Sequence, residues 1–141
     1  MIPVGFSELG KAFRMHDRVA VNANDASHYL LLFYAVECGL KSVYLRRNKL
    51  MKKNIINEML LSRGHDLQAW VKELRLSAQL VGATSSFSFH LKKDGKDQPQ
   101  PIKQAHQAWR YGALIDRKDE KMLINWLWKI SDWIQKEGIV S

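Results

Sequence analysis

Cysteine is almost missing from this chain. Cys38 stands alone among 141 residues, so no internal disulfide can form, and the expectation is a protein of the reducing cytoplasm. Proline and glycine are scarce, at three and eight residues, and no run alternates apolar and polar side chains over the length of a strand. Both absences turn the expectation away from a sheet protein and towards an all-α domain. There is no HxxxH or CxxC spacing, no glycine-rich phosphate loop and no carboxylate cluster, so neither a metal nor a nucleotide cofactor is expected. The opening MIPVGFSELGKAF has no basic segment followed by an apolar run and is not read as a signal peptide. No period of solenoid length repeats. A chain of this length suits one domain, 1–141, with one core.

What is present centres on residues 29–47, YLLLFYAVECGLKSVYLRR. The first half is apolar on every side, and a helix of that kind must be covered nearly all round. It is too short, and too polar at its C-terminal end, to span a bilayer, so no membrane contact is expected. The reading is a central helix over about 26–49, capped by Asp25 or Ser27, within an antiparallel helical bundle of four to five main helices. Residues 7–21 form a first helix with Leu9, Phe13 and Met15 as its inner face. A short helix is placed near 50–61 and is stopped by Gly64. Leu67, Trp70, Val71 and Leu74 follow at i, i+3, i+4, i+7 behind Asp66, a clean amphipathic stripe. Residues 82–101 read as a long loop. A helix over 102–114 starts after Pro101. A last helix over 117–136 is capped by Asp116 or Asp119, and Leu123, Leu127, Ile130 and Ile134 form its inner stripe, widened by Trp126, Trp128 and Trp133.

Charge is the other prominent feature. The formal net charge is +8, which favours a polyanionic or acidic partner. Lys41, Arg46, Arg47, Lys49, Lys52 and Lys53 form the densest basic run, with no acid between them. It can be a phosphate-binding patch or a solvated helix end that complements the dipole. Lys92, Lys93 and Lys96 lie near Phe87 and Phe89, a mixture that suits single-stranded RNA or a solvated loop. Glu37 and Lys41, one turn apart with the acid first, suit an intrahelical ion pair. Cys38 reads as a small buried residue, since no activating base stands beside it.

Three segments in this order, LLLFYAVECGLKSVYLRR, GHDLQAWVKELRL and QAWRYGAL, resemble successive helices of HEPN domains, the higher eukaryote and prokaryote nucleotide-binding family. The resemblance covers roughly residues 7–137. It implies an all-α bundle that commonly dimerises, in a family where many members are metal-independent ribonucleases of bacterial and archaeal toxin or defence systems. Other members are non-catalytic RNA-binding or partner-binding modules. The family's catalytic pattern is an Arg and a His with four to six residues between them. Arg110 matches the Arg, but the positions for the His hold Ile115, Asp116 and Arg117.

The expected function is therefore a non-catalytic or atypical HEPN-like module. It would bind RNA or a protein partner encoded nearby, as a homodimer or a subunit of a larger complex, in a prokaryotic defence or toxin–antitoxin system. The residues expected to make contact are Arg46, Arg47, Lys52, Lys53, Lys103 and Arg110. The alternative is a metal-independent endoribonuclease using Arg110 with His106, one helical turn before it, or with His65 beside Asp66. A further alternative is a small helical subunit of a nucleoprotein complex.

Overall fold

The computed structural model describes residues 6–20, 25–47, 66–77, 88–91 and 99–137. In chain order these form α1 (Phe6–Ala20), α2 (Ala26–Arg47), α3 (Leu67–Glu73), β1 (Ser88–His90), β2 (Pro99–Pro101), a single 3₁₀ turn (Ile102–Gln104), α4 (Ala105–Tyr111) and α5 (Arg117–Lys136). The architecture is an all-α helical bundle with one small two-stranded sheet. The helix placed near 50–61, its stop at Gly64 and the stop at Gly138 fall outside the described residues.

The centre is α2. Leu32, Phe33, Ala35, Val36, Leu40, Val43 and Leu45 are all buried, and they point in every direction around the helix. Cover comes from several sides. Helix α1 runs along α2 with Leu9 and Phe13 inward, while Met15 is 57% exposed. The expectation for Met15 fails because two helical positions beyond Phe13 is about 200° round the axis. Helix α5 brings Leu123, Leu127, Ile130 and Ile134, and Trp126 joins them, while Trp128 and Trp133 are half-buried. Helix α3 adds Leu67, Trp70 and Val71, with the Trp70 ring 5.3 Å from Tyr44, edge to face.

The helix ends follow from local chemistry. The Asp25 carboxylate accepts from the backbone N–H of His28 at 3.0 Å and opens α2. Asp66 accepts from Ala69 N–H at 3.1 Å and opens α3, and Asp116 accepts from Asp119 N–H at 3.1 Å and opens α5. Helix α3 closes in a Schellman arrangement. Arg75 takes a left-handed φ of 57°, and its N–H and that of Leu76 reach back to Lys72 and Val71. Helix α4 ends at Tyr111 rather than running to 114, because Gly112 turns left-handed at φ 76°.

The stretch 82–101, expected as loop, contains both strands. Phe89 is buried, with half-exposed Ser88 and His90 on either side, and pairs antiparallel with Gln100. The prolines at 99 and 101 lack an N–H and sit on the two-stranded edge where that omission costs least. His90 ties the hairpin to α5. Its backbone N–H and its ring Nδ1 both lie 2.8 Å from one Asp119 oxygen, and its carbonyl accepts from Asp116 N–H.

At Gly39 α1 and α5 both press close on α2. A Cβ there would lie 2.6 and 2.9 Å from two methyl carbons of Ile134 and 3.0 Å from the Phe13 ring. Gly39→Ala is expected to lower stability by about 1–3 kcal/mol despite the better helix propensity of alanine. Shortening the opposing side chain with Ile134→Val should recover part of that loss, read as the coupling in a double-mutant cycle of chemical denaturation.

Candidate functional site

Arg110 and His106 sit one turn apart on α4 but meet different surroundings. His106 is only 6% exposed, and its ring lies 5.4 Å from Phe33 and 6.4 Å from Tyr34, centroid to centroid. Arg110 is exposed. Its guanidinium stands 5.7 Å over the Tyr34 ring and donates a hydrogen bond to the Tyr34 hydroxyl. Hydrogen bonding to Tyr111 and the nearby Tyr34 raise its already high pKa, so the charge is permanent. Tyr111 beside it is 75% exposed. Tyr34 thus joins an inward histidine and an outward arginine.

The positions where the family pattern would place a histidine have structural work here. Ile115 is buried and bridges to Leu91, Asp116 caps α5, and Arg117 is the first residue of α5. His65, the other candidate base, lies outside the described residues, and its neighbour Asp66 serves as a helix cap.

The basic run on α2 is largely engaged within the fold. Arg46 donates to the Glu137 carbonyl at 2.6 Å and to its carboxylate at 2.9 Å. Arg47 donates to the Leu74 carbonyl at 2.7 Å and reaches the other Glu137 oxygen at 3.4 Å, with its guanidinium 5.3 Å over the Trp133 ring. Lys41 pairs with buried Glu37 at 2.7 Å. These two arginines therefore join the end of α2 to the end of α5 and to α3. Lys49, Lys52 and Lys53 lie outside the described residues, as do Phe87, Lys92, Lys93 and Lys96, while Phe89 is in the core. Lys103 is exposed on the 3₁₀ turn. From Tyr34 to Arg46 is about 18 Å along the α2 axis, so the arginine corner and the basic end are separate places.

A third feature was not visible in the sequence. Tyr29, Arg117, Glu120, Lys121, Ile124 and Asn125 line an open groove of about 370 Å³ between α2 and α5. The Tyr29 ring lies 5.8 Å from that of Trp109, whose indole N–H donates to Glu120 at 3.1 Å. Burial, followed by the charges of Glu120 and Asp25, pushes the Tyr29 hydroxyl pKa up. The spacing Arg117-x-x-x-Lys121 on one helical face was the available signal, and nothing local said that Tyr29 would stand opposite it.

Among the described residues no three His, Cys, Asp or Glu side chains gather to hold a metal ion, and no helix is long and apolar enough to cross a membrane. Comparison with known proteins finds no family model, no curated protein and no solved structure that matches the chain.

Two expectations follow. Burial, then the neighbouring Glu37 charge, raises the Cys38 thiol from its ordinary 9.0 to about 11. The folded chain should resist a thiol-reactive disulfide reagent at mildly alkaline pH while the denatured chain reacts fully. Because the folded pKa is the higher one, the thiol's contribution to stability is complete below 9.0 and is lost as pH rises through about 11. Separately, Glu137→Ala should lower stability by about 1–2 kcal/mol, since it removes the carboxylate shared by Arg46 and Arg47, and thermal melts in low salt measure the loss.

Proposed function

We propose that this chain is a HEPN-like helical module that binds single-stranded RNA without cleaving it, in a prokaryotic defence or toxin–antitoxin setting. The observation that supports the non-catalytic reading is the difference in depth within the one-turn pair on α4, with Arg110 exposed over Tyr34 and His106 buried against Phe33 and Tyr34. Metal-free RNA cleavage needs a base at the 2′-hydroxyl, an acid at the leaving oxygen and a cation on the phosphorane, all at one phosphate. Arg110 supplies the cation. His106 is 6% exposed against Phe33 and Tyr34 and offers little surface to a phosphate that Arg110 holds.

Binding asks for less. A guanidinium fork braced on an aromatic ring is suited to a phosphate, and an exposed tyrosine beside it offers a face to an unstacked base. Arg110 and Tyr111 are that pair, and exposed Lys103 adds charge seven residues before Arg110.

The test is fluorescence anisotropy of a labelled single-stranded RNA with EDTA present, followed by a gel of the same RNA. The RNA should bind and remain intact, with affinity falling as salt rises. Arg110→Ala should weaken binding about tenfold, equivalent to roughly 1.4 kcal/mol, and Arg110→Lys should recover only part of it. RNA cleavage that Arg110→Ala and His106→Ala each abolish would instead establish the endoribonuclease.

A further inference from the structure

We infer that the groove between α2 and α5 is a docking site for an acidic polypeptide segment, with an apolar side chain seated against Tyr29 and Ile124 and carboxylates paired to Arg117 and Lys121. The inference rests on the reading of the chain as a binding module and adds a protein partner to it.

The groove has an apolar floor in Tyr29 and Ile124, both half-buried and both packed against the core. Arg117 and Lys121 are exposed along one side, and exposed Lys118 and Lys129 continue the positive charge on α5. Each acid of this region also makes a contact within the fold. Asp116 caps α5, Asp119 holds His90, and Glu120 accepts from the Trp109 indole. The outer side of α5 from 117 to 129 therefore presents cations, on a chain whose formal net charge is +8. That excess disfavours a second copy of the same chain and favours an acidic partner.

Two carboxylates decide between an acidic polypeptide and a nucleic acid. Glu120 lines the groove, and Asp25, paired with His28 at 2.6 Å, acts on Tyr29 from the α2 end. A phosphodiester chain carries a negative charge at every nucleotide and would meet Glu120 in the groove and the Asp25 charge near Tyr29. A polypeptide can set a carboxylate at Arg117 and Lys121 and place an N–H or an apolar group beside Glu120. Asn125 offers an amide to the partner's backbone.

The probe is a fluorescein-labelled synthetic peptide of interspersed Glu and Leu, measured by anisotropy against the full chain. Controls are the same peptide with Ser for Leu, the same with Lys for Glu, and a single-stranded RNA of equal length. The Glu/Leu peptide should bind, the Glu/Ser peptide about tenfold more weakly, and the Lys/Leu peptide not at all. Arg117→Glu with Lys121→Glu should weaken the Glu/Leu peptide about tenfold or more, while the charge-matched pair Lys72→Glu with Lys136→Glu, on exposed sites elsewhere, should leave it within about twofold. The indole N–H resonance of Trp109 should shift on addition of the Glu/Leu peptide and should not shift on addition of the Lys/Leu peptide.

The inference is overturned if the Glu/Leu peptide fails to bind, if both charge-reversed pairs weaken it equally, or if the RNA displaces the peptide and the Arg117→Glu, Lys121→Glu pair abolishes that RNA binding. Failure of the RNA reading is separate, because it is read from RNA affinity in Arg110→Ala and leaves the peptide measurements standing.

Discussion

At Gly39 three helices meet with no room for a side chain. With only a hydrogen at that Cα, Ile134 of α5 and Phe13 of α1 press on the same point of α2. This close approach brings α5 near enough for Leu123, Leu127 and Ile130 to be fully covered together with Leu40 and Val43. It also places the last turn of α5 beside the last turn of α2, so that Glu137 meets Arg46 and Arg47. A methyl group at the crossing would act on the arginine contacts as well as on the core, because both depend on the same inter-helix spacing.

Helix α2 is both the most apolar element and a substantial carrier of charge, and the fold reconciles these by pairing its charged groups internally. Lys41 lies against Glu37, and the two terminal arginines close on Glu137, on the Leu74 carbonyl and over Trp133. These groups neutralise one another or satisfy carbonyls at the end of α5, where the helix dipole favours cations. Exposed cations among the described residues also stand on other elements, among them Lys72, Lys103, Arg110, Arg117, Lys118 and Lys121. A basic composition and a basic binding surface are distinct quantities here, and the densest run of arginine and lysine does not by itself locate the surface.

The legibility of the sequence varied with the range of the interactions. Helices α2, α3 and α5 could be read directly, because their patterns are local: apolar all round in α2, and repeating at three and four residues in α3 and α5. The hairpin could not, since a three-residue strand shows its alternation only once and Phe89 looks the same in a loop. Arg46 and Arg47 read as a contact patch or a solvated end, because their intramolecular partner is about ninety residues away. For His106 the position on a helix was correct, but its depth was not visible, since that depends on Phe33 and Tyr34 across the interface. Tyr29 and Tyr34 were hidden inside an apolar run where any residue would have been taken for core.

The attachment of the hairpin to α5 has a consequence for approach direction. A helix N-terminus ordinarily draws anions along its axis to its open N–H groups. Here the Asp116 carboxylate occupies one of those groups, and Asp119 in the same turn holds the hairpin through His90. The axial route is thereby closed by two fixed negative charges, while Arg117, Lys118 and Lys121 project around the flank. A negative group near this end of α5 meets repulsion along the axis and attraction at the flank, so the helix offers its side and not its tip.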